Sequence, residues 1–168
     1  MENENVPLVA KLRDQVAKGR LADDVAVVYR RSGGSGEENV DESVAVTASG
    51  SLHVRIRDPF AARPQGEARD EIARETVLGL FRELLRGVEN MVPASQARFL
   101  PDTVVSSVSF AAGNERETFY FAADEDDAEH RGQPITPQIR SVLERFRQIE
   151  ASCLSDEGRG HHGGGEAT

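Results

Sequence analysis

Segments with period-two and helical apolar spacing follow one another along this chain in a fixed order, and that order narrows the architecture. A short amphipathic helix comes first, then three β-rich runs, a longer helix, two more β-rich runs and a final helix. Strands that follow one another through short turns pair antiparallel, whereas parallel strands need long crossovers. The pattern predicts an α+β fold: an antiparallel sheet of about five strands, ordered α-βββ-α-ββ-α, with the helices packed mainly on one face.

In the first helix Val9, Leu12 and Val16 repeat at helical spacing. Asn5 is available as a cap, Pro7 falls in the first turn and Gly19 is a stop. A single narrow stripe on a short helix cannot sustain itself in water and must dock on something. The β-rich runs are Val25–Arg31, Ser43–Ser49 and the run SLHVRIR, in which Leu52, Val54 and Ile56 keep strict period two. Ser49-Gly50 is a tight-turn signal, so these strands read as a meander. After the proline-broken loop DPFAARPQG, residues from Glu67 to about Met91 read as one helix. Its stripe is Ala73, Val77, Leu80, Phe81, Leu84 and Val88. TVVSSVSFAA and ETFYFAA flank a Gly113-Asn114 hairpin signal. Thr136-Pro137 opens the last helix, to about Ser152, with Ile139, Val142, Leu143, Phe146, Ile149 and Cys153 on one face.

With 168 residues there is room for one core. We divide the chain into an N-terminal helix and linker (1–22), one α+β domain (23–154) and a polar, glycine-rich tail (155–168) expected to be disordered. Hydrophobic content is 38% with 7 Phe, 2 Tyr and no Trp, so the core is mainly aliphatic. Net charge is −9, a field that repels phosphate backbones and anionic membranes and argues against a nucleic-acid partner. One cysteine cannot form an internal disulfide, no stretch approaches a membrane span, and the N-terminus lacks the apolar run of a signal peptide. The expectation is a cytoplasmic protein, and a homodimer is compatible with it.

Several segments resemble functional motifs and fail on chemistry. SGGSG, with Ser32, Gly33 and Gly34 as its candidate residues, looks like a phosphate cradle. A Walker loop ends in Gly-Lys-Ser/Thr and leads into a helix, whereas this run ends in Glu37-Glu38 and leads into a strand. It reads as a flexible hairpin loop. The acidic run DEDDAEH (Asp124–His130) lacks the ligand register of a calcium loop and reads as a solvated connection. His161-His162 lies in the glycine-rich tail without further ligands. Cys153, on the apolar stripe, reads as a small hydrophobe, and no nucleophile elbow accompanies His53 or His130. No catalytic residue, metal or cofactor is expected.

His53, Arg55 and Arg57 alternate with the apolar residues of their strand, so they point away from the core. If helices cover one face only, these three lie on an open sheet face with Thr47, Ser107 and Ser109. Antiparallel sheets commonly leave one side wet. The functional reading is a partner-binding surface, basic against an acidic background.

The run from YRRSGGSGE through VAVTASGSLHVRI resembles the opening of small bacterial proteins of the emfourin type. There a first strand enters a Ser-Gly-Gly loop and a hairpin with a Ser-Gly turn follows. The later helix, strand pair and PITPQIRSVLERF helix fit the same layout, over roughly Val25 to Ser152. The N-terminal helix lies outside the resemblance. It implies a proteinaceous inhibitor of thermolysin-like metallopeptidases. Element order and a pI near 5.0 are also similar to the small acidic chaperones of type III secretion, which would imply an adaptor. Both lead to a non-catalytic protein-binding domain; the alternative of another class is a small enzyme with residues gathered from separate strands.

Overall fold

Period-two patterning becomes a single sheet in the computed structural model, which describes residues 6–34, 40–57, 66–94, 104–122 and 137–157. In chain order the elements are α1 (Leu8–Ala17), β1 (Val25–Gly33), β2 (Val40–Thr47), β3 (Ser51–Arg57), β4 (Gly66–Glu71), α2 (Arg74–Gly87), β5 (Val104–Ala112), β6 (Glu115–Ala122) and α3 (Pro137–Glu157). The strands lie in the order β4-β3-β2-β1-β5-β6 and every neighbouring pair is antiparallel. The fold is α+β, as the pattern predicts.

The sheet has six strands rather than about five. The additional strand, β4, has the sequence GEARDE and occupies residues read from the sequence as the start of α2. That helix begins instead at Arg74, with exposed Ala73 in extended conformation before it. Glu, Ala and Arg favour helix, so local propensity pointed the wrong way. Pairing with β3 overrode it: Ala68 sits opposite Val54 and is the one buried residue of the strand. At its end Ile72 N–H donates to the Gly50 carbonyl at 2.8 Å. Gly50 has φ +100°, and a Cβ there would strike the Ile72 carbonyl, so this turn requires glycine.

β1 also runs farther than the sequence suggests. Ser32 and Gly33 are strand residues opposite Asp41 and Val40, and Gly34 follows at the strand's end. The expected loop therefore begins later than Ser32, because antiparallel pairing extends through the glycine.

All three helices of the described residues bury apolar side chains on the same side of the sheet. Leu12 from α1, Leu80, Phe81 and Leu84 from α2 and Phe146 from α3 join Val27, Tyr29, Val44, Val46, Val54, Val108 and Phe110 in one cluster. Tyr29 stacks on Phe146 with ring centroids 4.9 Å apart, and Phe110 bridges Phe81 and Phe119 at 6.2 Å each. α1 thus shares the core of the rest of the chain, with Leu8, Val9, Leu12 and Val16 buried. Pro7 is its N-cap rather than a first-turn residue, and it supplies no side-chain cap. The orphan N–H groups of Leu8 and Val9 donate instead to the Glu117 carboxylate of β6, at 3.0 and 3.1 Å. A carboxylate at this end also complements the helix dipole.

The expected cap residues Asn5 and Thr136 lie outside the described residues, as do the side chains of Ile139, Val142 and Cys153.

Candidate functional site: the open sheet face

With helices on one side only, the other face of the sheet has no helix or strand packed on it among the described residues. Register places its side chains in rows across the strands. One row runs Arg69, His53, Ala45, Val28, Ser109 and Thr118; the next runs Glu67, Arg55, Ser43, Arg30, Ser107 and Tyr120. Beside them lie Ala26 between Thr47 and Ala111, and Arg57 opposite Asp41. His53 and Arg55 are half-buried and Arg57 is exposed. The sequence-derived triplet thus shares this face with Thr47, Ser107 and Ser109.

The face has a relief that the sequence did not reveal. Apart from Arg30, which stands on β1 between Ser43 and Ser107, its three central strands carry mostly small side chains: Ser43 and Ala45, Ala26 and Val28, Ser107, Ser109 and Ala111. The outer strands carry long ones: Arg55, Arg57 and Arg69 on one side, Arg116 and Tyr120 on the other. Two hydroxyl pairs are already satisfied, Ser109 with Thr118 and Thr47 with Ser49, each at 2.8 Å. Guanidinium groups outnumber carboxylates here, since Arg30, Arg55, Arg57, Arg69 and Arg116 face Asp41, Glu67 and Glu71. The face is positive on a chain whose net charge is −9. Arg30 is held by Asp41 at 3.2 Å, whereas Arg55 and Arg57 make no ion pair with a described residue.

At the β3–β4 edge His53 Nε2–H donates to Glu67 Oε1 at 2.5 Å, and Arg69 reaches the same oxygen at 3.3 Å. The hydrogen bond from His53, then that from Arg69, hold the Glu67 carboxyl below its ordinary 4.5. Ser51, Leu52, His53, Arg69, Asp70 and Glu71 line a shallow depression beside this pair. The arrangement can bind charge. No hydroxyl or thiol is hydrogen-bonded to His53 among the described residues, so it lacks the nucleophile–base contact of covalent catalysis.

Sequence reasoning missed a second polar group, on the helix-covered side. Arg31 lies between Glu42 and Ser106 on the flanking strands, and its guanidinium is 3.7 Å from the Glu42 carboxylate. The Tyr29 hydroxyl, Ser106 Oγ and Arg31 Nε are buried without a hydrogen-bond partner among the described residues. The signal was available: Arg31 and Glu42 continue the inward parity of Tyr29 and Val44.

Ser32 is on the open face at the end of β1, opposite Asp41 and Val105, with Asp41 standing between it and Arg57. Asp124–His130 and His161-His162 lie outside the described residues. Among the described residues no cluster of His, Cys, Asp and Glu could hold a metal ion. No helix there is long and apolar enough to cross a membrane. Comparison with known proteins finds no matching family model and no matching curated protein.

Proposed function

We propose that the chain is a non-catalytic protein-binding domain that receives its partner on the open sheet face. The observation that carries this reading is the uncovered, net-positive face bearing His53, Arg55 and Arg57, two of whose arginines have no carboxylate of their own among the described residues. Arginine suits such a role because its planar fork stacks and pairs bidentately with carboxylates. The resemblance of the Val25–Ser152 layout to emfourin-type proteins supports a regulator, and specifically a peptidase inhibitor. An adaptor of the secretion-chaperone kind would use the same surface.

One observation favours an enzyme as the second reading: His53 has a carboxylate at hydrogen-bonding distance. The site around it is shallow and both side chains are substantially exposed, at 41% and 52%. Water-excluded preorganisation, the usual source of catalytic power, is not built there.

The test is affinity capture from the native cell with wild-type protein and the double variant R55E/R57E, alongside inhibition of a thermolysin-like metallopeptidase. A single dominant partner should be captured by the wild type and lost by a variant that melts normally. Binding should also weaken as added salt shortens the Debye length. Retention of the partner at wild-type strength by the double variant rules out the open face as the binding surface. Unimpaired peptidase activity at saturating protein rules out that inhibitory form.

A further inference from the structure

The relief of the open face specifies the shape of what it binds. We infer that its occupant is an amphipathic α-helix of another protein, with a stripe of small or aliphatic residues flanked by carboxylates. This inference rests on the open-face reading above and names the partner's chemistry.

Backbone hydrogen bonding selects a helix over an extended segment. The floor is made by β2, β1 and β5, all interior strands whose N–H and C=O groups are committed to ladders with their neighbours. An extended peptide laid on that floor finds no backbone partners in it. It would leave its own N–H and C=O groups unpaired against Ala26, Val28, Ala45 and Ala111. Of the hydroxyls on this face, Ser109 and Thr118 already bond each other, and Ser43 and Ser107 are too few to serve a whole extended backbone. A helix brings its backbone bonds with it and needs only apolar contact along one stripe.

Dimensions agree. Adjacent strands are about 4.8 Å apart, so the arginine-bearing strand β3 and the Tyr120-bearing strand β6 stand about 19 Å apart across the floor. A helix with its side chains is about 10–12 Å across, which leaves room for long side chains at both walls.

Charge completes the specification. On one wall Arg55 and Arg57 have no carboxylate partner among the described residues, while the other wall carries Arg116. Glu or Asp on the helix flanks would meet guanidinium on either side, with bidentate pairing available to each arginine. A second copy of this chain fits poorly, because the stripes of α1 and α2, and Leu143 and Phe146 of α3, are already spent in the core.

The experiment is selection against the full-length protein from two displayed peptide libraries of equal diversity, one stapled into helices and one unconstrained. Helical binders should dominate, carrying Glu or Asp on both sides of a stripe of small or aliphatic residues. Their affinity should fall at least tenfold on Ala45→Arg and on Ser107→Arg, two floor-filling changes on different strands, and on R55E/R57E. Melting curves confirm that each variant is folded, and any one that folds suffices. Enrichment of unconstrained or basic peptides, or binders indifferent to every folded floor variant, would overturn the inference. If R55E/R57E still loses the native partner in that case, the open-face reading stands and only the helical occupant is wrong.

Discussion

At the scale of single residues, burial and hydrogen bonding disagree at Tyr29. Its ring stacks on Phe146 in the centre of the core, while its hydroxyl is buried with no partner among the described residues. A desolvated polar atom that makes no bond is a net cost, so Tyr29→Phe keeps the stacking and removes the penalty. We expect the variant to gain about 1 kcal/mol, read as a higher urea midpoint at unchanged slope. A midpoint below wild type would show that the hydroxyl is satisfied in solution. On the opposite face, His53 and Arg69 depress the Glu67 carboxyl below 4.5. A lowered folded value means that the stabilisation is present above the unfolded carboxyl's titration range and is lost as pH falls through the folded one. Replacing His53 with Ala should therefore move the Glu67 midpoint upward toward 4.5 in an NMR titration, because its largest cause is removed. No upward movement would mean that the pair does not persist in water.

Among the elements, α1 shows how a helix without a cap of its own is completed from elsewhere. Glu117 of β6 accepts from Leu8 and Val9, so Glu117→Ala orphans two N–H groups beside a buried helix end. The expected loss is about 1–2 kcal/mol in denaturant melts, with faster amide exchange in α1 as the local signature. An unchanged melt with unchanged exchange would show that water caps the helix equally well. The sequence made the stripe Val9, Leu12, Val16 legible, because helical spacing needs no tertiary knowledge. It could not reveal the cap, which lies more than a hundred positions away. The strands were legible wherever one side is apolar, as in Leu52, Val54 and Ile56. β4 was not, since its single buried residue, Ala68, gives no period to read and its charges favour helix. Charges suit it as an edge strand, where they discourage pairing with other chains. The outward parity of His53, Arg55 and Arg57 was readable from one strand alone. The small-residue floor was not, because it is assembled from β2, β1 and β5, and β1 pairs with β5 across the whole of α2.

For the molecule as a whole, α1 is part of the single core rather than an appendage. Removing residues 1–17 uncovers the surface against which four buried side chains pack, each worth about 1.5–3 kcal/mol. Against the entropy of ordering a short helix, we expect a net loss on the order of 5 kcal/mol, comparable to the total stability of many domains. Circular dichroism melts would show a truncated chain that is partly unfolded or aggregated at room temperature. A cooperative melt near the wild-type midpoint would show that the helix is dispensable. The same contact has a consequence for synthesis on the ribosome. Leu8 leaves the exit tunnel ahead of every strand of the sheet, and its acceptor follows 109 residues later. At about 5–20 residues per second the helix waits on the order of ten seconds with its apolar stripe uncovered. A helix made before the sheet is thus among the last elements to be seated, and for that interval the nascent chain offers a greasy ribbon to whatever chaperone stands at the tunnel mouth.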